Sequence, residues 1–154
     1  MAKTLFSLLC DPATLRLAWE KVRGNDGCSG GDGQTVAEFD LRADYQLHRL
    51  SEVLTQGIYA PGPLRRHVIA KPDGGTRPLV IPAVSDRVVQ TAVAQLLTPL
   101  AEPTFSTASF GYRPGRSVYM AIDRVSALRG RGLRWVVDAD IERAFENVPQ
   151  AEIL

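Results

Sequence analysis

Hydrophobic positions recur at helical spacing in four parts of the chain. In the first, over residues 11–23, Asp11 can cap a helix and Pro12 takes the first helical position. The second part spans residues 35–56 and ends at Gly57, because glycine adopts the left-handed conformation that closes many helices. These patterns predict two amphipathic helices in the first third of the chain.

Two further helices are predicted in the second half. Ser85 can cap one of them, and Pro99 and Pro103 bound its end. Ser117 can cap the other, which ends at Gly130. The inward side of this last helix is predicted to consist of Ala121, Ile122, Val125 and Leu128.

Strand-like runs are found over 64–70 and 76–81, separated by Pro72-Asp73-Gly74-Gly75. Asp-Gly between two such runs is a strong signal for a β-hairpin. A third apolar run, Leu133–Ala139, predicts a strand whose partners are absent from this chain. Helices, a hairpin and a late strand together indicate an α+β fold.

Composition narrows the class of protein. The 154 residues are 45% hydrophobic and 23% charged, which is ordinary for a globular domain. No apolar run reaches the roughly 18 residues that a membrane span requires, so no membrane contact is expected. Cys10 and Cys28 have neither metal-ligand spacing nor the number needed for a disulfide framework, which predicts a reducing, cytoplasmic setting.

The small net charge of +1 hides a strongly basic centre. Between Leu64 and Arg134 there are eleven basic and four acidic residues, and ten of the eleven are arginine. Arginine suits forked contacts with phosphate. The charge pattern is compatible with a phosphate-binding surface and equally with a solvated face of mixed charge.

Three segments carry residues suited to nucleic-acid or nucleotide chemistry. The loop from Gly24 to Gly33 holds five glycines, which suits either close backbone approach or a flexible connector. Lys71 and Arg77 flank the hairpin turn and could converge on one anion, or simply be solvated. The run Ser106–Ser117 combines arginines, aromatics and a helix start, which fits phosphates and unpaired bases, or a loop anchored to the core by its aromatics.

Two carboxylates lie at the end of the last predicted strand. Asp138 and Asp140 are two residues apart, so on a strand they would point to the same face. Carboxylate oxygens are ligands that Mg²⁺ prefers, and the segment could form half of a two-metal phosphoryl-transfer site. The alternative is a strand-end carboxylate that caps a helix or pairs with arginine.

Six motifs in order resemble the reverse transcriptases of the group II intron lineage. They are residues 30–33, 59–66, 71–82, 86–90, 102–117 and 137–145. The longest, Glu102-Pro-Thr-Phe-Ser-Thr-Ala-Ser-Phe-Gly-Tyr-Arg-Pro-Gly-Arg-Ser117, is the most specific. The sequence Asp138-Ala-Asp-Ile-Glu142 is also similar to that of reverse transcriptases that work beside a CRISPR spacer integrase.

The resemblance implies the fingers of a right-hand polymerase over residues 1–134 and the start of its palm, with the first palm strand, over residues 135–154. The rest of the palm, including its Tyr-Ala-Asp-Asp turn, and the thumb are missing from the sequence. The expected function is therefore an RNA-directed DNA polymerase when complete, with this chain inactive alone as a fragment or truncated product. The alternative is a nucleic-acid-binding or assembly module that keeps the fingers fold without catalysis.

The resemblance also implies residue roles and partners. The catalytic metal ligand would be Asp140, with two Mg²⁺ in the complete enzyme and the backbone carbonyl of Ile141 as a further ligand. The dNTP would contact Lys71, Arg77 and Phe145, and the bulk of Phe145 would exclude a 2′-hydroxyl. RNA template and DNA primer, with intron RNA or a CRISPR integrase complex as further partners, would contact Gly31, Asp32, Gly33, Arg113 and Arg116.

The sequence departs from the family pattern beside these residues. Ala144-Phe145-Glu146 stands where Phe-Phe-Asp is usual, which removes bulk near the sugar and lengthens a carboxylate. Gln150 stands where a histidine is common.

Overall fold

The computed structural model describes residues 3–70, 72, 74–141, 144 and 147–153. Their elements, in chain order, are α1 Leu5–Leu9, α2 Pro12–Asn25, α3 Val36–Asp40, α4 Ala43–Thr55, β1 Arg65–Ala70, β2 Thr76–Ile81, α5 Val84–Ala101, a 3₁₀ turn Glu102–Thr104, α6 Val118–Gly130 and α7 Gln150–Ile153. The chain divides into two compact units, Met1–Phe105 and Ser106–Leu154. The predicted α+β class is confirmed, whereas the predicted fingers–palm boundary at residue 134 lies inside the second unit and stays a prediction.

The core of the first unit forms around two aromatic rings. Trp19 of α2 and Phe39 of α3 are fully buried, with ring centroids 4.5 Å apart and planes tilted by 36°. Tilted aromatic pairs at this distance add to the free energy gained from burial alone. Around them pack apolar residues of α2, α4 and α5, namely Leu15, Ala18, Val22, Leu47, Leu50, Leu54, Val84, Val88 and Ala92.

The first helical prediction holds closely and the second needs a correction. Asp11 caps α2 through the backbone N–H of Ala13, and Pro12 opens the helix. Residues 35–56 form two helices, because Arg42 leaves the helical region with φ −131° and ψ 29° between α3 and α4. The break leaves Leu41 85% exposed and directs both flanking helices to the same core.

Glycine closes α4 as predicted. The N–H of Gly57 donates to Leu54 O at 3.0 Å, and the N–H of Ile58 donates to Val53 O at 3.0 Å. Gly57 has φ +69°. This is the Schellman arrangement, which satisfies carbonyls at the helix end and favours glycine because of the positive φ.

The start predicted for the third helix is wrong, whereas its end lies between Pro99 and Pro103, as predicted. The N-cap of α5 is Ala83, without a side-chain cap, and Ser85 lies inside the helix. Pro99 also lies inside the helix, which continues to Ala101. Proline removes one N–H and opposes the carbonyl four residues earlier, but two more residues of helix form here before the 3₁₀ turn that holds Pro103.

The predicted hairpin is confirmed. Strands β1 and β2 are antiparallel, with Arg65 opposite Ile81, His67 opposite Leu79 and Ile69 opposite Arg77. Gly74 in the turn has φ +84°, which suits glycine. Every residue of β1 is exposed, so the hairpin is stabilised at its base and by its own ladder rather than by a covering layer.

The second unit is built on α6. Ser117 caps it through the N–H of Met120 at 3.3 Å, as predicted. The helix ends at Gly130, and Gly132 supplies the positive φ, +94°, that lets Leu133 N–H return to Leu128 O.

The burial predicted for α6 is wrong. No residue of α6 is buried, and Ile122 and Val125 are exposed. Among the described residues of this unit, no layer is packed closely enough to remove that apolar face from water.

The strand predicted over Leu133–Ala139 is also absent from the described part of the chain. The strands described there are β1 and β2, and Trp135 is 97% exposed. A β-strand is defined by backbone hydrogen bonds to a neighbouring strand. In the described part of the chain, residues 133–139 form no such hydrogen-bonded pairing. Among the described helices, none has the length and apolarity needed to cross a bilayer.

We expect Phe39→Ala to destabilise the first unit by about 3–5 kcal/mol, because it removes half of the buried aromatic pair and leaves a cavity. Leu41→Ala is the matched control and should change the free energy of unfolding by less than about 0.5 kcal/mol, since Leu41 is exposed. Urea unfolding followed by Trp19 fluorescence, in a Trp135→Phe background, measures both. Equal stability of the two variants would contradict this account of the core.

Candidate nucleic-acid and nucleotide interface

The base of the hairpin is held by a buried carboxylate. Asp86, in the first turn of α5, is 3% exposed. It accepts a hydrogen bond from Tyr59 Oη at 2.5 Å and another from the backbone N–H of Gly62 at 2.9 Å. A buried charge is costly unless it is hydrogen-bonded, and a helix N-terminus favours a negative charge. Asp86 therefore ties the segment that enters β1 to the helix that follows β2.

The hydroxyl of Tyr59 is held in its neutral, donating form. Burial raises the pKa of Tyr59 far above its ordinary value, and the hydrogen bond to Asp86 and the charge of that carboxylate raise it further. The raised pKa keeps Tyr59 protonated, and therefore a donor to Asp86, well into the alkaline range.

The glycine-rich loop lies against this base. The N–H of Gly31 donates to Pro63 O at 3.1 Å. A β-carbon on Gly31 would lie 2.4 Å from Pro63 O, and one on Gly30 would lie 2.5 Å from the Cα of Ala83. The sequence left open whether this loop is a flexible connector or allows close backbone approach. At Gly30 and Gly31 the structure shows close backbone approach.

Two arginines tie the loop to the hairpin and to α5. Arg65 Nη1 donates to Ser29 Oγ at 3.1 Å, and Arg87 Nη2 donates to Cys28 O at 2.9 Å. Two of the eleven basic residues between Leu64 and Arg134 therefore already form hydrogen bonds within the protein. Arg87 is also a poorer candidate for phosphate than its position suggests, because its Nε is buried.

The predicted residues Gly31, Asp32 and Gly33 lie together on this anchored loop. Asp32 Oδ1 accepts the N–H of Gln34 at 3.3 Å, and Gly33 has φ +78°. Asp32, Gly33 and Gln34 border a shallow concavity completed by Glu38, Leu41 and Arg42. The loop therefore has a stable shape, with part of its polar edge facing solvent.

One face of the hairpin carries basic side chains. The register places Arg65, His67 and Arg77 on the same face, since alternate residues of a strand and their direct partners point the same way. Arg77 is exposed near the tip. Lys71 lies outside the described residues, so its convergence with Arg77 stays a prediction.

In the second unit, the two predicted arginines bind their own loop. Arg113 Nη1 donates to Ser106 O at 2.7 Å and to Ser109 O at 2.8 Å. The guanidinium of Arg116 lies 5.6 Å from the centre of the Phe110 ring and reaches Thr107 O at 3.4 Å. Both side chains shape the loop, and a role in binding nucleic acid would be additional.

The predicted metal ligands are exposed. Asp138, Asp140 and Ile141 are open to solvent. The residues described in the structure contain no group of three or more potential metal ligands. The Asp140 carboxylate and the Ile141 carbonyl are oxygen ligands of the type that Mg²⁺ prefers, so they fit part of a coordination set. Phe145 and Glu146 lie outside the described residues.

Sequence reasoning missed the structural roles of Tyr59, Asp86 and Arg87. One signal was present: Asp86 lies three residues before Val89 on the apolar side of the predicted helix. A carboxylate on such a face needs a donor from elsewhere in the fold. The identity of that donor depends on a contact across 27 residues, which no local pattern contains.

The chain belongs to the reverse transcriptase family. The family described as reverse transcriptase (RNA-dependent DNA polymerase) matches residues 69–154. This stretch includes Arg77, Asp140 and the loop Ser106–Ser117 that carries Arg113 and Arg116, here called the arginine loop. This match confirms the family predicted from the six motifs.

The relatives point to the group II intron lineage. The chain is 40% identical to the protein YkfC of Escherichia coli (strain K12), over 94% of the chain and 39% of that protein. It is 32% identical to the group II intron-encoded protein LtrA of Lactococcus lactis subsp. cremoris, over 97% of the chain and 25% of LtrA. A 91 kDa protein in the cob intron of Schizosaccharomyces pombe (strain 972 / ATCC 24843) is 36% identical over 90% of the chain and 17% of its own length.

The chain thus spans less than half the length of these relatives. The predicted resemblance to group II intron proteins is confirmed, and the CRISPR-associated assignment stays a hypothesis.

We expect Gly31→Ala to destabilise the first unit by about 1–3 kcal/mol or more, because the new β-carbon would meet the backbone of Pro63. Gly24→Ala is the control: it lies in α2 with nothing within 4 Å of its β-carbon position, and should be neutral or stabilising by up to about 1 kcal/mol. Urea unfolding of both variants is the measurement. A Gly31→Ala variant as stable as Gly24→Ala would show that the loop is not packed as described.

Proposed function

We propose that this chain supplies the nucleotide- and template-binding fingers and the first catalytic aspartate of an RNA-directed DNA polymerase of the group II intron lineage. The observation that carries the proposal is the family match over residues 69–154. The matched stretch contains Arg77, an exposed cation of the hairpin, and Asp140, a carboxylate of the type that holds Mg²⁺. The substrates would be an RNA template, a DNA primer and dNTPs, and intron RNA is a further proposed partner.

The hairpin is proposed to bind the triphosphate of the incoming nucleotide. Arg77 is exposed on the same face as Arg65 and His67, and guanidinium groups bind phosphate oxygens with forked hydrogen bonds. Lys71 is proposed to add a second cation near the turn. Because the base of the hairpin is tied to Asp86 and to the glycine loop, these cations would be presented with little loss of conformational freedom on binding.

The metal site is proposed to include Asp140 and the backbone carbonyl of Ile141. Bound Mg²⁺ would neutralise the triphosphate and help to activate the primer hydroxyl. The residues of this chain would hold the ion, orient the triphosphate and, through the proposed contact of Phe145 with the sugar, exclude a 2′-hydroxyl. Asp138 is proposed to lie outside the metal site.

Template and primer are proposed to contact the glycine loop at Gly31–Gly33 and the arginine loop at Arg113 and Arg116. Support comes from the hydrogen bonds that hold both loops in shape. Further support comes from the eleven basic residues between Leu64 and Arg134. Arginines position a phosphate backbone without reading its sequence.

We expect the chain to bind RNA or a primer–template hybrid with a steep salt dependence, because arginines that neutralise phosphates release counterions. Arg77→Gln should make the slope of log affinity against log salt shallower by about 0.7–0.9, the value for one lost phosphate contact. Lys21→Gln removes one charge from α2, outside the basic region, and should leave the slope unchanged.

Fluorescence anisotropy between about 50 and 200 mM salt measures this dependence. A flat slope for the unchanged chain, or no binding at low salt, would refute the proposed nucleic-acid surface. An equal effect of the two substitutions would refute the role of the hairpin face.

In a complete reverse transcriptase that contains this chain, we expect Asp140→Asn to abolish primer extension, because the amide lacks the charge that holds Mg²⁺. Template affinity should stay nearly unchanged, since it depends on distant arginines. Asp138→Asn is the matched control and should retain most activity. If Asp138→Asn is inactive and Asp140→Asn is active, the assignment of the metal ligand is wrong.

A further inference from the structure

Tyr112 combines an exposed side chain with an unfavourable backbone conformation. Its side chain is fully exposed, and its backbone has φ +54°. The left-handed region is unfavourable for a residue with a bulky side chain. Burial of the ring could offset the cost of such a backbone conformation. The ring of Tyr112 is exposed, so burial does not offset it. Strained and exposed residues of this kind are concentrated at functional sites.

The residues on either side of Tyr112 hold it in place. Arg113 Nη1 donates to the carbonyls of Ser106 and Ser109, at 2.7 and 2.8 Å. Arg116 lies against the ring of Phe110 at 5.6 Å. The N–H of Arg116 also donates to Arg113 O at 3.2 Å, which closes the turn after Tyr112. The ring is thus carried on a braced loop, so that ordering the loop on binding costs little.

The charge around Tyr112 selects the chemistry of its ligand. Arg113 and Arg116 are on the same loop as Tyr112, and four more arginines follow on or after α6, against one aspartate in residues 106–134. An apolar protein partner seated on the ring would have to desolvate neighbouring cations, which is unfavourable. A nucleic-acid strand gains from both features, because its phosphates meet the arginines and its bases present flat π-faces. In a duplex those faces are already stacked, so the exposed ring favours unpaired bases.

We propose that Tyr112 stacks on an unpaired base of a single-stranded segment of the template, while arginines of the same unit contact its phosphates. This inference rests on the proposed function and names a subsite within it. Stacking on a π-face tolerates any base, so Tyr112 contributes affinity without sequence preference.

The test uses the 154-residue chain and a single-stranded RNA labelled with 2-aminopurine, whose fluorescence falls when it stacks. Tyr112→Ala should weaken binding by about 5- to 150-fold, which corresponds to the loss of one base–aromatic stack, and should remove most of the quenching. The slope of log affinity against log salt should stay unchanged, because stacking releases no counterions. Affinity for fully paired RNA should also stay unchanged.

Three variants separate the ring from the shape of the loop. Tyr112→Trp should restore binding and quenching, because it keeps an aromatic face. Tyr112→Gly relieves the backbone strain, so it should fold at least as well as the parent chain and still bind as weakly as Tyr112→Ala. Tyr119→Ala is the matched control: Tyr119 is 80% exposed on α6 of the same unit, and its loss should leave affinity unchanged.

The possible results are distinguishable. If Tyr112→Ala or Tyr112→Gly binds single-stranded RNA as tightly as the parent chain, with the salt slope intact, the stacking subsite is overturned and the proposed function stands. Equal weakening for single-stranded and paired RNA would overturn it too, because the ring would then act through loop shape. If the parent chain binds no RNA at any salt concentration, both the subsite and the proposed nucleic-acid surface are overturned.

Discussion

The carboxylate of Asp86 is the interaction on which the arrangement of the first unit depends. It is buried at the start of α5 and accepts hydrogen bonds from the Tyr59 hydroxyl and the Gly62 backbone. Removing either donor would leave a buried charge with less compensation, which costs more than an ordinary hydrogen bond contributes. Among the residues that the structure describes, none covers β1, so the direction of the hairpin relative to the helical core of the first unit is set at this point and at the two glycines that pack beside it.

The anchored base and the exposed tip have different physical requirements. At the base, polar groups are satisfied within the protein and backbones approach within van der Waals contact, which leaves room only for glycine at residues 30 and 31. Toward the tip, Arg77 is exposed. A stable base with an exposed charged end fits the proposed nucleotide-binding role, because the base fixes the direction of the strand that carries the charge.

Local patterns predicted most of the fold because most elements are specified locally. The cap at Asp11, the glycine that closes α4 and the Asp-Gly hairpin turn each depend on a few neighbouring residues. The break at Arg42 escaped prediction because the apolar spacing continues through it, and only the shared core of α3 and α4 requires the chain to turn. The late strand was predicted from its apolar composition, but a strand needs a neighbour. For the site, the motifs predicted the family, which is confirmed, and residue roles, which stay predictions. The partners of Asp86, Arg65 and Arg113 depend on contacts distant in sequence or on loop shape.

The register of the hairpin has a consequence for how this chain can change in length. Side chains alternate between faces with a period of two, so one residue added inside β1 would turn His67 and Ile69 to the opposite face and separate Arg65 from Arg77. One residue added between Gly62 and Leu64 would have to displace the backbone against which Gly31 packs. An addition within residues 72–75 would meet neither constraint, since it only lengthens the turn. Among homologues, natural variation in length should therefore collect at the turn, and the segments that flank the strands should keep a constant number of residues even where their side chains differ.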